Sequence, residues 1–140
     1  MSTDVLIIRS CLVVCEDSFD QAVFRQALSD VSPNTELHFA SNGFDAFYKL
    51  ATEDLSPDYI FVDLHMRFMD GVDFLQRIKK ENEFKDIPVV IHSSLPETDR
   101  IEEIRQSGAW AIQFKPYEYF SLCNILNLYF GLGVSGVRQN

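Results

Sequence analysis

The sequence predicts an α/β fold, a parallel sheet of five strands alternating with five helices that cover both of its faces. Two observations carry that expectation. Short apolar runs, continuous rather than alternating, are separated by stretches with apolar residues at helical spacing, the pattern of strands buried on both sides. Four of the runs stop at residues that bear chemistry: Glu16-Asp17, Asp63, Ser93-Ser94 and Lys115-Pro116. Such strand ends lie at the carboxyl edge of an open α/β sheet, where ligands bind.

The first strand is expected over residues 11–15. Ser18 and Gln21 have capping-box spacing and open a helix that buries Val23, Phe24, Ala27, Leu28 and Val31, until Ser32-Pro33-Asn34 breaks it. The second strand covers residues 36–40, and Ser41-Asn42-Gly43 turns into a helix carrying Ala46, Phe47, Leu50 and Ala51. After Ser56-Pro57-Asp58 comes a third strand over 59–62. Asp70-Gly71 then leads into a helix with Val72, Phe74, Leu75 and Ile78, whose basic end, Lys79-Lys80, suits the macrodipole. Ile87-Pro88 precedes a fourth strand over 89–92. Ser94 and Glu97 form a second capping box with Pro96 near the helix start. Ile101 and Ile104 face the core, and Gly108 is the C-terminal cap. The fifth strand lies within 110–114 and the last helix over 117–130. Trp110 and the phenylalanines read as core. One domain is expected over residues 1–130, its core starting at about 11, with 131–140 a flexible tail rich in glycine.

Composition narrows the function. A net charge of -9 argues against nucleic-acid binding, which rests on neutralising phosphates with Lys and Arg. No apolar run is long enough for a membrane span, and no leader peptide is expected, so a cytoplasmic protein is predicted. Cys11 and Cys15, four apart on one strand, stand roughly 13 Å apart, too far for a disulfide. With Cys123 they read as buried free thiols of a reducing compartment. His38, His65 and His92 lack zinc-site spacing.

An acid pair, a central acid, a hydroxyl and a lysine, each ending its own strand, suit one phosphoryl group and one divalent cation. A carboxylate serves as nucleophile to form an aspartyl phosphate. The loose transition state leaves the protein to supply position and positive charge. Neighbouring carboxylates repel one another, and a hard dication with oxygen ligands relieves that repulsion.

From about Cys11 to Phe130 these ordered signals resemble the response-regulator receiver family, of which the chemotaxis regulator is a stand-alone example. The resemblance implies the doubly wound, flavodoxin-like sheet with strand order 2-1-3-4-5, which the chemotaxis member is known to have. It implies Asp63 as phosphoacceptor, with Glu16, Asp17, Asp63 and the backbone carbonyl of His65 holding Mg2+ or Mn2+. Ser93 would contact the phosphoryl oxygens. Lys115, followed by Pro116 across what is usually a cis peptide bond in the family, would pair with the phosphoryl group.

The chain departs from the family pattern in places. The loop after the acceptor usually reads Met-Pro-x-Met-Asp-Gly; here Arg67 stands in place of proline, free of its fixed φ and able to pair with an acid or with a partner kinase. His65 occupies a position that tunes phosphate lifetime. Ile112 replaces the usual aromatic switch residue of the fifth strand, and Glu16 the more common aspartate. The last helix is apolar on more than one face, which predicts a homodimer or a docked partner through 117–130.

The expected function is therefore a single-domain response regulator of two-component phosphorelay signalling. It would take a phosphoryl group from a histidine kinase or a histidine phosphotransfer protein and signal to a downstream protein. It would be an enzyme only in its self-phosphorylation and autodephosphorylation. The alternatives are a degenerate receiver acting as a phosphorylation-independent interaction module, an aspartate-nucleophile phosphohydrolase, which wants an acid where His65 stands, and a flavin binder, whose phosphate Glu16-Asp17 would repel.

Overall fold

The computed structural model describes residues 9–94, 99–116 and 118–131. Among them the order is β1 (Ser10–Val14), α1 (Ser18–Val31), β2 (Glu36–Ala40), α2 (Gly43–Thr52), β3 (Tyr59–Asp63), α3 (Gly71–Ile78), β4 (Val89–Ser93), α4 (Ile101–Gln106), β5 (Ala111–Phe114) and α5 (Tyr119–Phe130). All pairings are parallel, and the sheet order is β2-β1-β3-β4-β5. The reversal of winding beside β1 and β3 is the switch point at which such sheets bind ligands.

The strands carry apolar side chains on both faces because two cores meet there. Leu12, Val14, Ile60 and Val62 pack with Phe74 and Ile104 on the side of α2, α3 and α4. Cys11, Val13 and Phe61 pack with Phe24, Leu122 and Leu126 on the side of α1 and α5. Period-two alternation of side chains sorts one strand into both cores. Among the described residues no helix is long and apolar enough to cross a membrane.

Several boundaries differ from the expectation. β1 starts and ends one residue earlier, so Cys15 lies just past the strand; β3 and β4 extend through Asp63 and Ser93; β5 begins after Trp110, whose N–H still donates to the Val89 carbonyl at 2.8 Å. Helix α1 is capped by Asp17 and not by Ser18. The Asp17 carboxylate accepts from the N–H groups of Phe19 and Asp20 at 2.8 and 3.2 Å, and a charged acceptor is the stronger cap. Gln21 instead donates its amide to the Cys15 carbonyl at 2.7 Å. Around α4, residues 95–98 lie outside the described residues, and with them Pro96 and Glu97 of the expected second capping box. The described helix begins at Ile101, after Arg100, which makes no side-chain cap bond. Gly108 follows that helix at φ 102°, a left-handed turn of the kind glycine takes without penalty.

The last helix begins at Tyr119, two residues later than expected, with Glu118 as cap; Tyr117 and the tail over 132–140 lie outside the described residues. The Lys115–Pro116 bond is not cis, and no cis peptide occurs among the described residues; an X–Pro bond favours trans by about 0.5–1 kcal/mol. Trp110 is 58% exposed, as are Phe19, Phe44, Phe68, Phe114 and Phe120 in large part. These rings sit at element ends or on outward faces, where periodicity gives no inward direction.

His92 is 2% exposed. Its ring stacks edge-on to Phe24 and tilts against Phe61, with centroids 6.3 and 5.5 Å away, and its Nε2 has no hydrogen-bond partner among the described residues. Burial, followed by the Lys115 charge, pushes its pKa from 6.5 down to about 3.

Two predictions follow from this packing. A Cβ on Gly71 would lie 2.8 Å from the Asp63 carbonyl oxygen and 2.9 Å from the Leu64 Cα. Gly71→Ala therefore has to push backbone aside at the end of β3, and urea denaturation is expected to report a loss of about 1–3 kcal/mol. For His92 the folded pKa lies below the unfolded one, so between pH 6.5 and about 3 the unfolded chain binds the extra proton and stability falls as pH falls. From pH 7 to 5.5 this one group removes about 1 kcal/mol. His92→Phe is expected to show a denaturation midpoint that declines less over that interval; an equal decline would refute the assignment.

Candidate functional site

The site is built by four strand ends, those of β1, β3, β4 and β5, and the first turn of α1. β3 delivers Asp63, whose carboxylate side chain is 17% exposed. The loop beyond it is held by the Leu64 N–H on the His92 carbonyl and the Gly71 N–H on the Leu64 carbonyl, both at 2.8 Å. Beyond β5, the Lys115 N–H donates to the Ser93 carbonyl at 2.7 Å, which aims the lysine side chain back across β4. Its ammonium donates to both Asp63 oxygens, at 2.9 and 3.0 Å, and to Asp20 Oδ2 at 3.1 Å.

Burial pushes the Asp63 carboxyl above its usual range, and Lys115 offsets part of that shift. For Lys115, burial is the largest single influence and works against the charge, but Asp63, Cys15 and Asp20 together outweigh it and hold the ammonium above the ordinary lysine range.

A cavity of about 190 Å³ opens over this pair. Glu16, Asp17, Ser93 and His65 line it, together with Asp20, His92 and Ser94. Asp17 is an exposed helix cap. Glu16 Oε2 accepts the Arg67 N–H at 2.7 Å, and the Arg67 Nε lies 3.8 Å from the same oxygen, with the arginine side chain 80% exposed. The pairing of Arg67 with an acid thus has a named partner. Pro116 lines a neighbouring groove between α1 and α5, and Ile112 lies half-exposed on β5, apart from the cavity. Phe68, 91% exposed, sits at φ 68° in the loop, a left-handed conformation that costs a non-glycine residue about 1–2 kcal/mol.

Two residues at the site were missed by the sequence reading. Asp20 shares Lys115 with Asp63; its signal was the spacing Asp17-x-x-Asp20, one helical turn on the face that meets the sheet edge. Cys15 was read as an inert core thiol. The register pairs Val14 with Val62, so the next residues, Cys15 and Asp63, come side by side. Donor atoms of Cys15, Asp20 and Asp63 all lie within 4.8 Å of one another. Cys15 Sγ also donates to the Asp17 carbonyl at 3.6 Å. Burial, then the charge of Asp63, pushes the Cys15 thiol up to about 12.

An ammonium locked on a half-buried carboxylate, beneath a cavity rimmed by acids and a serine, offers a nucleophilic oxygen, a fixed positive charge and oxygen donors for a cation. A model of the response regulator receiver domain matches residues 11–127. The sensor histidine kinase CheAY of Helicobacter pylori is 34% identical over 107 residues, covering 76% of this chain and 13% of that protein. The chain spans between 13% and 37% of the length of CheAY and two other curated relatives. The phosphorylated cyanobacterial phytochrome response regulator RcpA superposes with a TM-score of 0.79 at 22% identity, covering 89% of this chain and 94% of that one. The Mn2+-bound form of response regulator Rcp1 does so with a TM-score of 0.77 at 21% identity, covering 87% and 94%. The strand order, the strand-end site and the span of the match agree, and the chain belongs to the response regulator receiver domain family.

Proposed function

We propose that this receiver takes a phosphoryl group onto Asp63 from the phosphohistidine of a histidine kinase or phosphotransfer protein and passes the signal on by protein contact. The observation that carries the reading is the Lys115 ammonium bonded to both oxygens of Asp63 at the floor of an open cavity. An Asp63 oxygen attacks phosphorus in line, the P–O bond forms as the P–N bond breaks, and the donor imidazole leaves. Lys115 stabilises charge on the equatorial oxygens, and Ser93 at the cavity wall supplies a hydroxyl to them.

The acids lining the cavity suit a divalent cation. Glu16, Asp17, Asp63 and the His65 carbonyl would hold Mg2+ or Mn2+, with Asp20 a further candidate. When bound, the ion neutralises charge on the phosphoryl oxygens. The phosphoryl group adds about 1.5–2 negative charges beside Lys115. Lys115 then divides between Asp20 and the phosphate, and repulsion acts on the first turn of α1. The exposed His65 borders the path of a hydrolytic water, and the apolar surface of α5, where Phe120 and Leu128 are exposed, is the proposed surface for a partner or a second copy.

Intact mass after incubation with acetyl phosphate and Mg2+ is expected to rise by one phosphoryl group in the wild type and not in Asp63→Asn. No gain with either acetyl phosphate or phosphoramidate would sink the acceptor reading. Lys115→Met keeps the acceptor but loses the fixed charge, and its phosphorylation rate is expected to fall by about 10²–10³-fold with the folded far-UV spectrum retained.

A further inference from the structure

We infer that the hollow between the start of α2, the loop after β3 and the C-terminal end of α3 is a docking surface for an acidic segment of a partner protein. The segment seats an aromatic or aliphatic side chain against Phe44 and Phe68 and its carboxylates on Arg77 and Lys80. This surface lies on the opposite face of the sheet from α5. The inference rests neither on phosphoryl transfer to Asp63 nor on a cation beside it.

The hollow, of about 360 Å³, is bordered by Phe44, Phe68, Met69, Asp73, Arg77 and Lys80. Met69 is buried and gives it a fixed base. Next to Phe44 on α2, Phe47 packs on Phe74 with ring centroids 5.1 Å apart, which ties that wall to the core. Phe44 and Phe68 themselves stand in solvent, 56% and 91% exposed. Phe68 is the more telling of the two, because its φ of 68° is left-handed. That conformation costs free energy for a residue with a Cβ, and a ring in water recovers none of it by packing. Residues held in such conformations collect at ligand clamps and switch regions. Large aromatic side chains that become covered on association carry much of the binding energy of an interface.

Charge complementarity names the occupant. The chain has 21 acidic and 12 basic residues, yet the border of this hollow carries two cations and one acid. The acid, Asp73, is engaged in the capping box of α3, where it accepts the Asp70 N–H at 3.3 Å. Arg77 and Lys80 are exposed, and neither the guanidinium nor the ammonium has a hydrogen-bond or ion-pair partner among the described residues. Three residues apart, they share one side of the helix end and present donors that suit carboxylates. Past Phe44, Arg77 and Lys80 the surface continues into a second hollow of about 720 Å³ that reaches Phe47 and Phe84. A small-molecule site encloses its ligand, whereas this groove matches a length of chain. Glu81 and Glu83 border its far end, which places the partner's carboxylates at the near end. The partner's apolar side chains then follow the phenylalanines, as an amphipathic helix does in a groove. The same acids, with the net charge of -9, oppose a nucleic acid or an anionic lipid surface.

The test uses the full chain without a phosphodonor, so its outcome is separate from the mass measurement above. A phage-displayed library of random peptides is selected on the wild type and counter-selected on the double variant Arg77→Ala, Lys80→Ala. The enriched peptides are then measured by fluorescence anisotropy. They are expected to carry Asp or Glu beside an aromatic residue or leucine, and to bind more weakly as salt is added. Affinity is expected to fall about tenfold or more in the double variant and in Phe68→Asn. Asparagine accepts a left-handed φ more readily than phenylalanine, so Phe68→Asn is expected to keep or raise the urea midpoint while it loses the peptide. A ring that served packing would instead lower the midpoint when removed. No enrichment over the counter-selection, enriched peptides without an acid, equal affinity for wild type and either variant, or a lower midpoint in Phe68→Asn overturns the inference. So does a dimer, or binding to phosphatidylserine vesicles, that is lost in the same variants, since either result gives the surface a different occupant.

Discussion

The contact between Lys115 and Asp63 is the constraint around which the edge of this sheet is arranged. A carboxylate 17% exposed at the end of a central strand carries a desolvation cost of several kcal/mol unless a cation meets it. The cation comes from two strands away, across β4, because the Lys115 backbone is tied to Ser93. Asp20 then completes the neutralisation from α1. One ammonium thereby joins β3, the end of β5 and the first turn of a helix, and both Asp63 oxygens stay paired.

The parallel sheet makes this possible. All five strands point the same way, so their carboxyl ends gather on one edge, and residues distant in sequence converge there without any need for a long loop. Two cores, one on each face, hold the strands rigid beneath the site. The loop after β3 is the exception to this regularity. Gly71 lets α3 approach the Asp63 and Leu64 backbone to a distance that a Cβ would forbid, and Phe68 accepts a left-handed φ in the same turn. Strain of this sort collects next to sites whose loops must rearrange.

The acid side of the cavity is not a uniform ring of metal ligands. Glu16 is engaged by the Arg67 backbone and side chain, Asp17 by two N–H groups of its own helix, and Asp20 by Lys115. A cation entering the cavity has to compete with each of these, so its binding is coupled to the loop after β3, to the start of α1 and to the lysine at the same time.

By itself the sequence determined the class of fold, the order of elements and the residues Asp63, Lys115, Ser93 and Glu16 at the carboxyl edge. Short apolar runs and the polar residues that end them are local signals, set by periodicity and by where a strand must stop. Helix α3 was legible for the same reason, since Asp70-Gly71 and the apolar spacing of Val72, Phe74, Leu75 and Ile78 agree with its observed start and buried face. What only the tertiary structure decided is which side chains touch. Asp17 took the helix cap expected of Ser18, Asp20 reached Lys115, Cys15 came beside Asp63, and Trp110 stayed largely in solvent. Each outcome depends on inter-strand register, on the pitch of α1 over the sheet edge, or on competition between neighbouring acceptors for the same N–H. None of these is encoded in the spacing of residues along one element.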